Sequence, residues 1–161
     1  MDTTIWAALI GLAGAIIGAV IPWLRGRKST ARSETYDKVT GSFNEPQPNE
    51  AVGRAIRCSG VVTGPQAGLN LWLTVEVGDL VWPKESKVLP DEANKWNVMI
   101  FEDGVATEQF AVSLFVADTN ADRRIREWLE AGRRTGKYSE LRGIPGARRL
   151  ARVDGLRLKT A

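Results

Sequence analysis

The sequence predicts an N-terminal transmembrane α-helix followed by a mainly-β soluble domain, an antiparallel β-sandwich that carries one amphipathic helix. Three observations lead to this fold class. The chain of 161 residues is 43% apolar on average. Residues 5–24 are far above this average, since they are almost entirely apolar and carry no charge. Residues 55–117 contain strand-length apolar runs, several of which alternate with polar residues, and residues 121–132 then change to a helical period. The length suits one domain with an appendage.

Residues 5–24 form the predicted membrane span. Its 20 residues would make a helix of roughly 30 Å, the thickness of the hydrocarbon core of a bilayer. Trp6 and Trp23 lie near its two ends, where indole rings favour the headgroup layer. A cleaved signal peptide is a weaker alternative because residues 1–4 lack a positive charge. A buried core helix is weaker still, since it would not need so long an uncharged run.

The residues that flank this segment predict its orientation. Residues 1–4 carry no Lys or Arg, whereas the other flank is basic at Arg25, Arg27 and Lys28. By the positive-inside rule, residues 1–4 are an extracytoplasmic tip and the C-terminal domain is cytoplasmic. The prediction is therefore a single-pass protein of the cell membrane, anchored by an uncleaved signal-anchor.

Small residues follow one another along one face of the predicted span. Their spacing of i, i+3, i+4 and i+7 allows two helix backbones to approach closely and favours a homo-oligomer. The alternative is that this face contacts lipid. The residues are Gly11, Gly14, Ala15 and Gly18.

Residues 25–50 are predicted to be a basic juxtamembrane collar and a flexible linker. Ser, Thr, Asn, Gln, Pro and charged residues dominate, so few apolar groups offset the entropy of ordering the chain. Residues 44–50 contain two prolines and are the least foldable part.

The domain predicted over residues 51–161 begins with a succession of strands. Residues 69–77 alternate most regularly, which predicts one buried face and one mostly wet face. A strand that begins at residue 80 should stop at Pro83. The strands at 96–101 and 109–117 are rich in β-branched and aromatic residues and are expected to pair with each other antiparallel. The predicted strands are 55–63, 69–77, 80–83, 86–89, 96–101 and 109–117.

A single helix is predicted over residues 121–132. Asp118 or Asn120 can cap its start, and Gly132 can end it. Trp128 lies on its apolar face and should pack on the sheet. After one more helical turn at 139–142, residues 150–158 return to β structure around Asp154-Gly155, which suits either a tight hairpin or a bulge.

Several apolar motifs carry a resemblance to known proteins: Gly60-Val-Val-Thr-Gly64, Leu71-Trp72-Leu73 and Trp82-Pro83, then strands at Trp96 and Phe110. The arrangement resembles uncharacterised bacterial membrane-anchored proteins with a small cytoplasmic β-rich module. For some of these proteins, the resemblance implies a role in signalling or defence. It transfers no functional residue, because the shared motifs are patterns of core residues.

The composition excludes much of enzyme chemistry. The chain has no histidine and one cysteine, Cys58, so imidazole bases, Ser-His-Asp and Cys-His systems and multi-thiolate zinc sites are absent. We expect Cys58 to be a small buried apolar side chain. The carboxylate pairs Asp91-Glu92 and Glu102-Asp103 lie in turn-like sequence, and neighbours in a strand point to opposite faces. We therefore predict no catalytic residue, no metal and no cofactor.

Trp72 has two interpretations, since it lies on the polar face of its predicted strand. It can stack on a ligand, or a helix or loop can cover it, and the second is the expectation. The glycine-rich residues 60–68 lack the Lys-Ser/Thr ending of a phosphate-binding loop and indicate a turn.

Charge is strongly partitioned along the chain. Residues 51–118 carry a net charge of −4, and residues 119–161 carry +7. The basic segment could contact anionic lipid, a nucleotide or nucleic acid, or the acidic half of the protein itself. No recognition motif or stacking platform accompanies the charge, so we do not expect a nucleic-acid partner. The candidate anion-binding residues are Arg123, Arg124, Arg126, Arg133, Arg134, Arg148 and Arg149.

Two functions follow from these features. The preferred hypothesis is a membrane-tethered, non-enzymatic binding or signalling module whose partners are the lipid bilayer and a cytoplasmic protein or small ligand. The alternative is a membrane effector whose span self-associates when the soluble domain is activated.

Overall fold

The computed structural model describes residues 38–64, 67–103 and 109–159. All of them belong to one compact unit, Lys38–Ala161. This part of the chain contains eight strands and one helix: β1 Thr40–Glu45, β2 Ala51–Val52, β3 Ala55–Thr63, β4 Asn70–Val77, β5 Leu80–Val88, β6 Lys95–Phe101, β7 Phe110–Ala117, α1 Thr119–Thr135 and β8 Ala147–Leu158.

The predicted fold class, with its transmembrane helix, is wrong for these residues. They contain no helix that is long and apolar enough to cross a membrane. α1 has 17 residues and is charged along its exposed side, whereas a span needs about 20 mostly apolar residues. Residues 5–24, which suggested a single-pass signal-anchor, lie outside the described residues. The predicted single-pass membrane character is corrected with the fold class, because α1, the one described helix, is too short and too polar to span a bilayer.

The strands form two sheets around one core. The first has the order β1-β3-β6 and the second the order β2-β8-β7-β4-β5, with β2 parallel to β8 and every other pair antiparallel. β1 also lies beside β8, and β5 lies beside β6. The smaller sheet therefore meets the larger one at β8 on one side and at the edge strand β5 on the other.

The central strands are buried on both faces. Every residue of β7 is buried, as are the six central residues of β4. The expectation of a mostly wet face on β4 is wrong because α1 covers Trp72 and arginine side chains from β8 cover Glu76. A continuous apolar run such as β7 is typical of a strand covered on both faces.

The predicted pairing of β6 with β7 is also wrong. β6 pairs with β3, where Val98 lies opposite Cys58, and β7 lies between β4 and β8. The alternation of β6 gives it one inward face, which suits the edge of the smaller sheet. β7 needs cover on both faces and takes a central position in the larger sheet.

The domain begins before residue 51, because β1 lies inside the predicted linker. The Phe43 ring packs edge-on against Trp96 with ring centroids 5.3 Å apart. Gly60 lies opposite Phe43 in the β1–β3 pair, and a Cβ there would lie 2.7 Å from the Trp96 ring. Phe43, in a largely polar segment, thus packs on the buried Trp96, and glycine at position 60 leaves room for the indole.

Three further boundaries differ from the predictions. β5 continues through Pro83, which an edge strand tolerates because the missing N–H faces no ladder partner. α1 is capped by Asp118, whose Oδ1 accepts from Ala121 N at 2.8 Å, and it continues past Gly132 to end at Gly136 in the left-handed conformation. Leu141, expected in a helical turn, forms a β-bridge with Val81.

β8 settles the alternative that the sequence left open around Asp154-Gly155. The strand is continuous from Ala147 to Leu158, and its register against β7 shifts between Val153 and Leu156. Gly155 has a φ of 74° within this shift. The dipeptide therefore forms a bulge and not a hairpin turn.

Candidate ligand-binding cleft

A cleft opens where the edge strands of the two sheets, β5 and β6, approach α1. Its volume is about 800 Å³, within the range typical of sites for small organic ligands. Its lining comes from three parts of the domain: the β4–β5 hairpin, the outer face of β6, and the second half of α1 with the segment that follows.

The β4–β5 hairpin forms the apolar floor. Val77 lies opposite Leu80, and Val75 lies opposite Trp82. Residues directly opposite each other in an antiparallel pair project on the same face, so these four side chains form one continuous surface. Trp82 is only half-buried and presents its ring to the cleft.

β6 contributes two large apolar side chains that point away from the core. Trp96, Val98 and Ile100 alternate on the inward face, which leaves Met99 and Phe101 outward. Met99 is 41% exposed and Phe101 is 68% exposed, although burial would stabilise either side chain by roughly 2 kcal/mol. Both line the cleft.

Trp128 and Tyr138 form the third wall. Their ring centroids are 5.1 Å apart with an interplanar angle of 45°. Trp128 Nε1 donates to the main-chain and hydroxyl oxygens of Ser139, each at 3.0 Å. Gly132 leaves space for the tyrosine, since a Cβ at this position would lie 2.1 Å from two of its ring atoms.

Carboxylates outnumber cations in the lining of the cleft. Lys84 is the only basic residue among the described lining residues, and its Nζ contacts the Glu102 carboxylate and donates to Phe101 O at 3.1 Å. This ion pair is largely buried and neutral as a unit. The acidic lining residues are Glu85, Glu102, Asp103 and Glu140.

Two basic residues just outside the lining face the remaining acids. Arg54 contacts Asp103 at 3.1 Å, and Arg133 lies 3.8 Å from Glu85. All four of these side chains are well exposed, so solvent screens both pairs. Glu140 has no ion-pair partner among the described residues.

Asp122 holds α1 on the sheet behind the cleft. Its Oδ1 accepts from Trp72 Nε1 at 3.0 Å and lies 2.8 Å from Lys87 Nζ, while Oδ2 lies 2.6 Å from Arg126 Nη2. Burial by itself raises the pKa of this carboxyl, but hydrogen bonds from Lys87, Arg126 and Trp72 outweigh burial and lower the pKa below its usual value. The expected cover over Trp72 is confirmed, and the tryptophan is not free to stack on a ligand.

A second buried carboxylate is that of Glu76, which lies on the same face of β4 as Trp72. Arg149 binds it through Nε at 3.1 Å and Nη2 at 2.7 Å, and Arg152 Nη1 adds a contact of 2.6 Å. Arg149 also lies over the Phe115 ring, 5.4 Å from its centroid. These arginines cover the face of the sheet around Glu76.

The predicted anion-binding arginines face several different partners. Arg133 and Arg149 contact acids of residues 51–118, which agrees with pairing between the basic and acidic parts of the chain. Arg123 and Arg126 pair with acids of α1 itself, and Arg148 donates to Val39 O at 2.7 Å. Arg124 and Arg134 have no ion-pair partner within the described ranges. An anion-binding role for the seven arginines stays a prediction.

The other predicted sites involve the N-terminus and the turns. The helix-packing residues Gly11, Gly14, Ala15 and Gly18, and the interface residues Trp6, Trp23, Arg25, Arg27 and Lys28, lie outside the described residues. Asp91 is a turn residue whose Oδ1 accepts from Ala93 N at 2.9 Å and Lys95 N at 2.8 Å. In the described part of the chain, no group of three acidic or cysteine side chains could hold a metal ion.

Comparison with known proteins adds no family to this description. No family model matches the chain, and no curated protein matches its sequence.

Sequence reasoning missed the cleft, although part of it was visible. Once Trp96 and Ile100 are assigned to the inward face of a strand, Met99 and Phe101 are two large apolar residues on the outward face. Such a pair is unusual on a wet surface and indicates a binding site. Tyr138 gave no such indication, because its position depends on the close approach to Gly132.

Proposed function

We propose that this domain is a non-enzymatic binding module that holds a small organic ligand in the cleft between β5, β6 and α1. One observation carries the proposal: four aromatic side chains, from β5, β6, α1 and the segment that follows α1, line one cleft of about 800 Å³. They are Trp82, Phe101, Trp128 and Tyr138. Aromatic residues that stay partly exposed around a concavity offer a flat apolar ligand a large contact area.

The polar groups of the site favour binding over catalysis. The Lys84–Glu102 pair is neutralised internally, and the remaining acids stand at the exposed rim. A general base would need a carboxylate aimed into an enclosed space with a raised pKa. The apolar floor and the aromatic walls instead provide apolar contact area and orient a bound molecule.

The experiment uses the methyl group of Met99 as a reporter. The chain has two methionines, Met1 and Met99, so ¹³C-methyl-methionine labelling of the full chain gives two signals, and Met99→Leu assigns them. We expect a subset of neutral aromatic fragments to shift the Met99 signal in a saturable way. Phe101→Ser should weaken this binding at least about fivefold, because it removes apolar contact area in the cleft.

Leu89→Ser is the matched control, since Leu89 is 79% exposed and does not line the cleft. It should leave the titration unchanged. The proposal fails if no fragment moves the Met99 signal, or if Leu89→Ser weakens binding as much as Phe101→Ser.

A further inference from the structure

We infer that the ligand of this cleft is an organic cation, an ammonium or similar group attached to an apolar body. The inference rests on the proposed function, because it names the chemical class of molecule that the same cleft would hold. It combines the aromatic walls with the excess of carboxylates around them.

The aromatic rings supply the first part of the recognition. The face of an indole, phenol or benzene ring carries partial negative charge and attracts a cation within about 6 Å of its centre. Trp82 stands on the floor, Phe101 on the β6 wall, and Trp128 with Tyr138 on the helical wall. A cation in the cleft would therefore have ring surfaces from β5, β6 and the helical wall available to it, while its apolar body contacts Leu80.

The charges supply the second part. The described lining residues include four acids and one lysine, a net charge of −3, in a chain whose total is +3. Lys84 is occupied by Glu102, so it offers little attraction to an anion. Arg54 and Arg133 lie just outside the lining and pair with Asp103 and Glu85, so the excess negative charge beside the cleft is that of Glu140. Glu140 adds a negative charge that no described basic residue neutralises.

Anions and neutral molecules fit this lining less well. An anionic ligand would lie beside three rim carboxylates with no free basic residue in the lining. A neutral aromatic molecule would gain the apolar contact but not the attraction of the ring faces and the carboxylates. The site thus favours a positive charge over a neutral group of the same shape.

The test compares three probes that share a phenyl body and differ in charge. They are 2-phenylethylammonium, 2-phenylethanol and phenylacetate, each titrated into the full chain while the Met99 methyl signal is followed. We expect the ammonium to bind at least about fivefold more tightly than the alcohol, and the carboxylate to bind most weakly. Added salt should reduce the differences in affinity among the three probes, because it screens the charges.

The outcomes separate this inference from the proposed function. If the alcohol binds as tightly as the ammonium, or the carboxylate binds more tightly, the cleft is a binding site but the inference is overturned. If none of the probes, nor any neutral fragment, moves the Met99 signal, the proposed function itself fails.

Two variants test the two parts of the recognition. Phe101→Leu keeps an apolar side chain but removes a ring. It should therefore weaken the binding of the ammonium about threefold and the binding of the alcohol much less. Glu140→Gln removes the unneutralised charge. It should weaken the binding of the ammonium about twofold to fivefold and leave the binding of the alcohol unchanged. Glu92→Gln, an exposed acid outside the cleft, is the matched control. Equal effects of Glu140→Gln and Glu92→Gln would overturn the electrostatic part.

Discussion

Trp72 Nε1 donates a hydrogen bond of 3.0 Å to the Asp122 carboxylate, which joins the outer face of β4 to the first turn of α1. Lys87 on β5 and Arg126 on α1 contact the same carboxylate at 2.8 and 2.6 Å. Three elements thus meet at one buried charge. Since α1 also carries Trp128, this contact positions one wall of the cleft.

Removing Asp122 should destabilise the domain in a pH-dependent way. Asp122→Ala leaves the buried Trp72 Nε1 without an acceptor and removes the carboxylate that Lys87 and Arg126 contact, so it should lower the free energy of unfolding by about 3 kcal/mol near neutral pH. The folded pKa of Asp122 is lowered, so its contribution is complete above about pH 4, the unfolded value, and is lost as the pH falls through the folded pKa. Urea denaturation at several pH values measures this. A difference between wild type and Asp122→Ala that stays constant down to about pH 2 would contradict the prediction.

Glu76 should matter for stability as much as Asp122 does. Its side chain is 2% exposed and binds both Arg149 and Arg152. Glu76→Ala leaves two guanidinium groups facing each other, and we expect a loss of about 3 kcal/mol in urea denaturation. Glu127→Ala removes an exposed pair with Arg123 and should change stability by no more than about 0.5 kcal/mol. Similar losses in the two variants would show that burial of the charge is not the cause.

Replacing Gly132 with alanine should not stabilise the protein, although such a replacement usually stabilises a helix. An exposed glycine in a helix normally gains about 1 kcal/mol on replacement by alanine. Here the new Cβ would lie 2.1 Å from the Tyr138 ring, so Gly132→Ala should bring no gain in thermal stability. On a Tyr138→Ala background the clash disappears and the gain of about 1 kcal/mol should return. Identical effects on both backgrounds would rule out the predicted contact.

Thr74→Val should stabilise the domain. Thr74 lies opposite Ser113 across β4 and β7, and both hydroxyls are buried without a hydrogen-bond partner in the described structure. Replacing a hydroxyl that has no partner with a methyl group of similar size should raise the free energy of unfolding by about 1 kcal/mol. Thr74→Ser keeps the hydroxyl, loses a methyl group and should destabilise. A Thr74→Val protein less stable than wild type would mean that the hydroxyl is bonded.

Cys58 should not react in the folded protein. It is fully buried between Ile56 and Gly60 of β3, and burial raises the pKa of its thiol to about 12. Since only the thiolate reacts, we expect no labelling by a thiol reagent near pH 8 until urea unfolds the chain. The unfolded thiol ionises above about pH 9, so wild type should lose stability there relative to Cys58→Ala. Rapid labelling without denaturant would contradict the burial.

Local patterns predicted several elements because local physics decides them. The alternation of residues 69–77 matches β4, and the periodic apolar residues of 121–132 lie inside α1, which is three residues longer at its C-terminal end. Cys58 is buried as its chemistry suggests, and Trp72 is covered. The end of α1 could not be predicted, because a glycine such as Gly132 can end a helix or continue it, and here the left-handed Gly136 ends the helix.

By itself, the sequence determined which segments alternate as strands, where the one described helix lies, and that histidine chemistry is absent. Each of these follows from side-chain type and spacing within a few residues. Only the tertiary structure decided that β6 and β7 belong to different sheets, that β1 joins the domain, and that Trp82, Phe101 and Tyr138 share one cleft. Those relationships join residues far apart in the chain, and they depend on which faces find cover when both sheets close around one core.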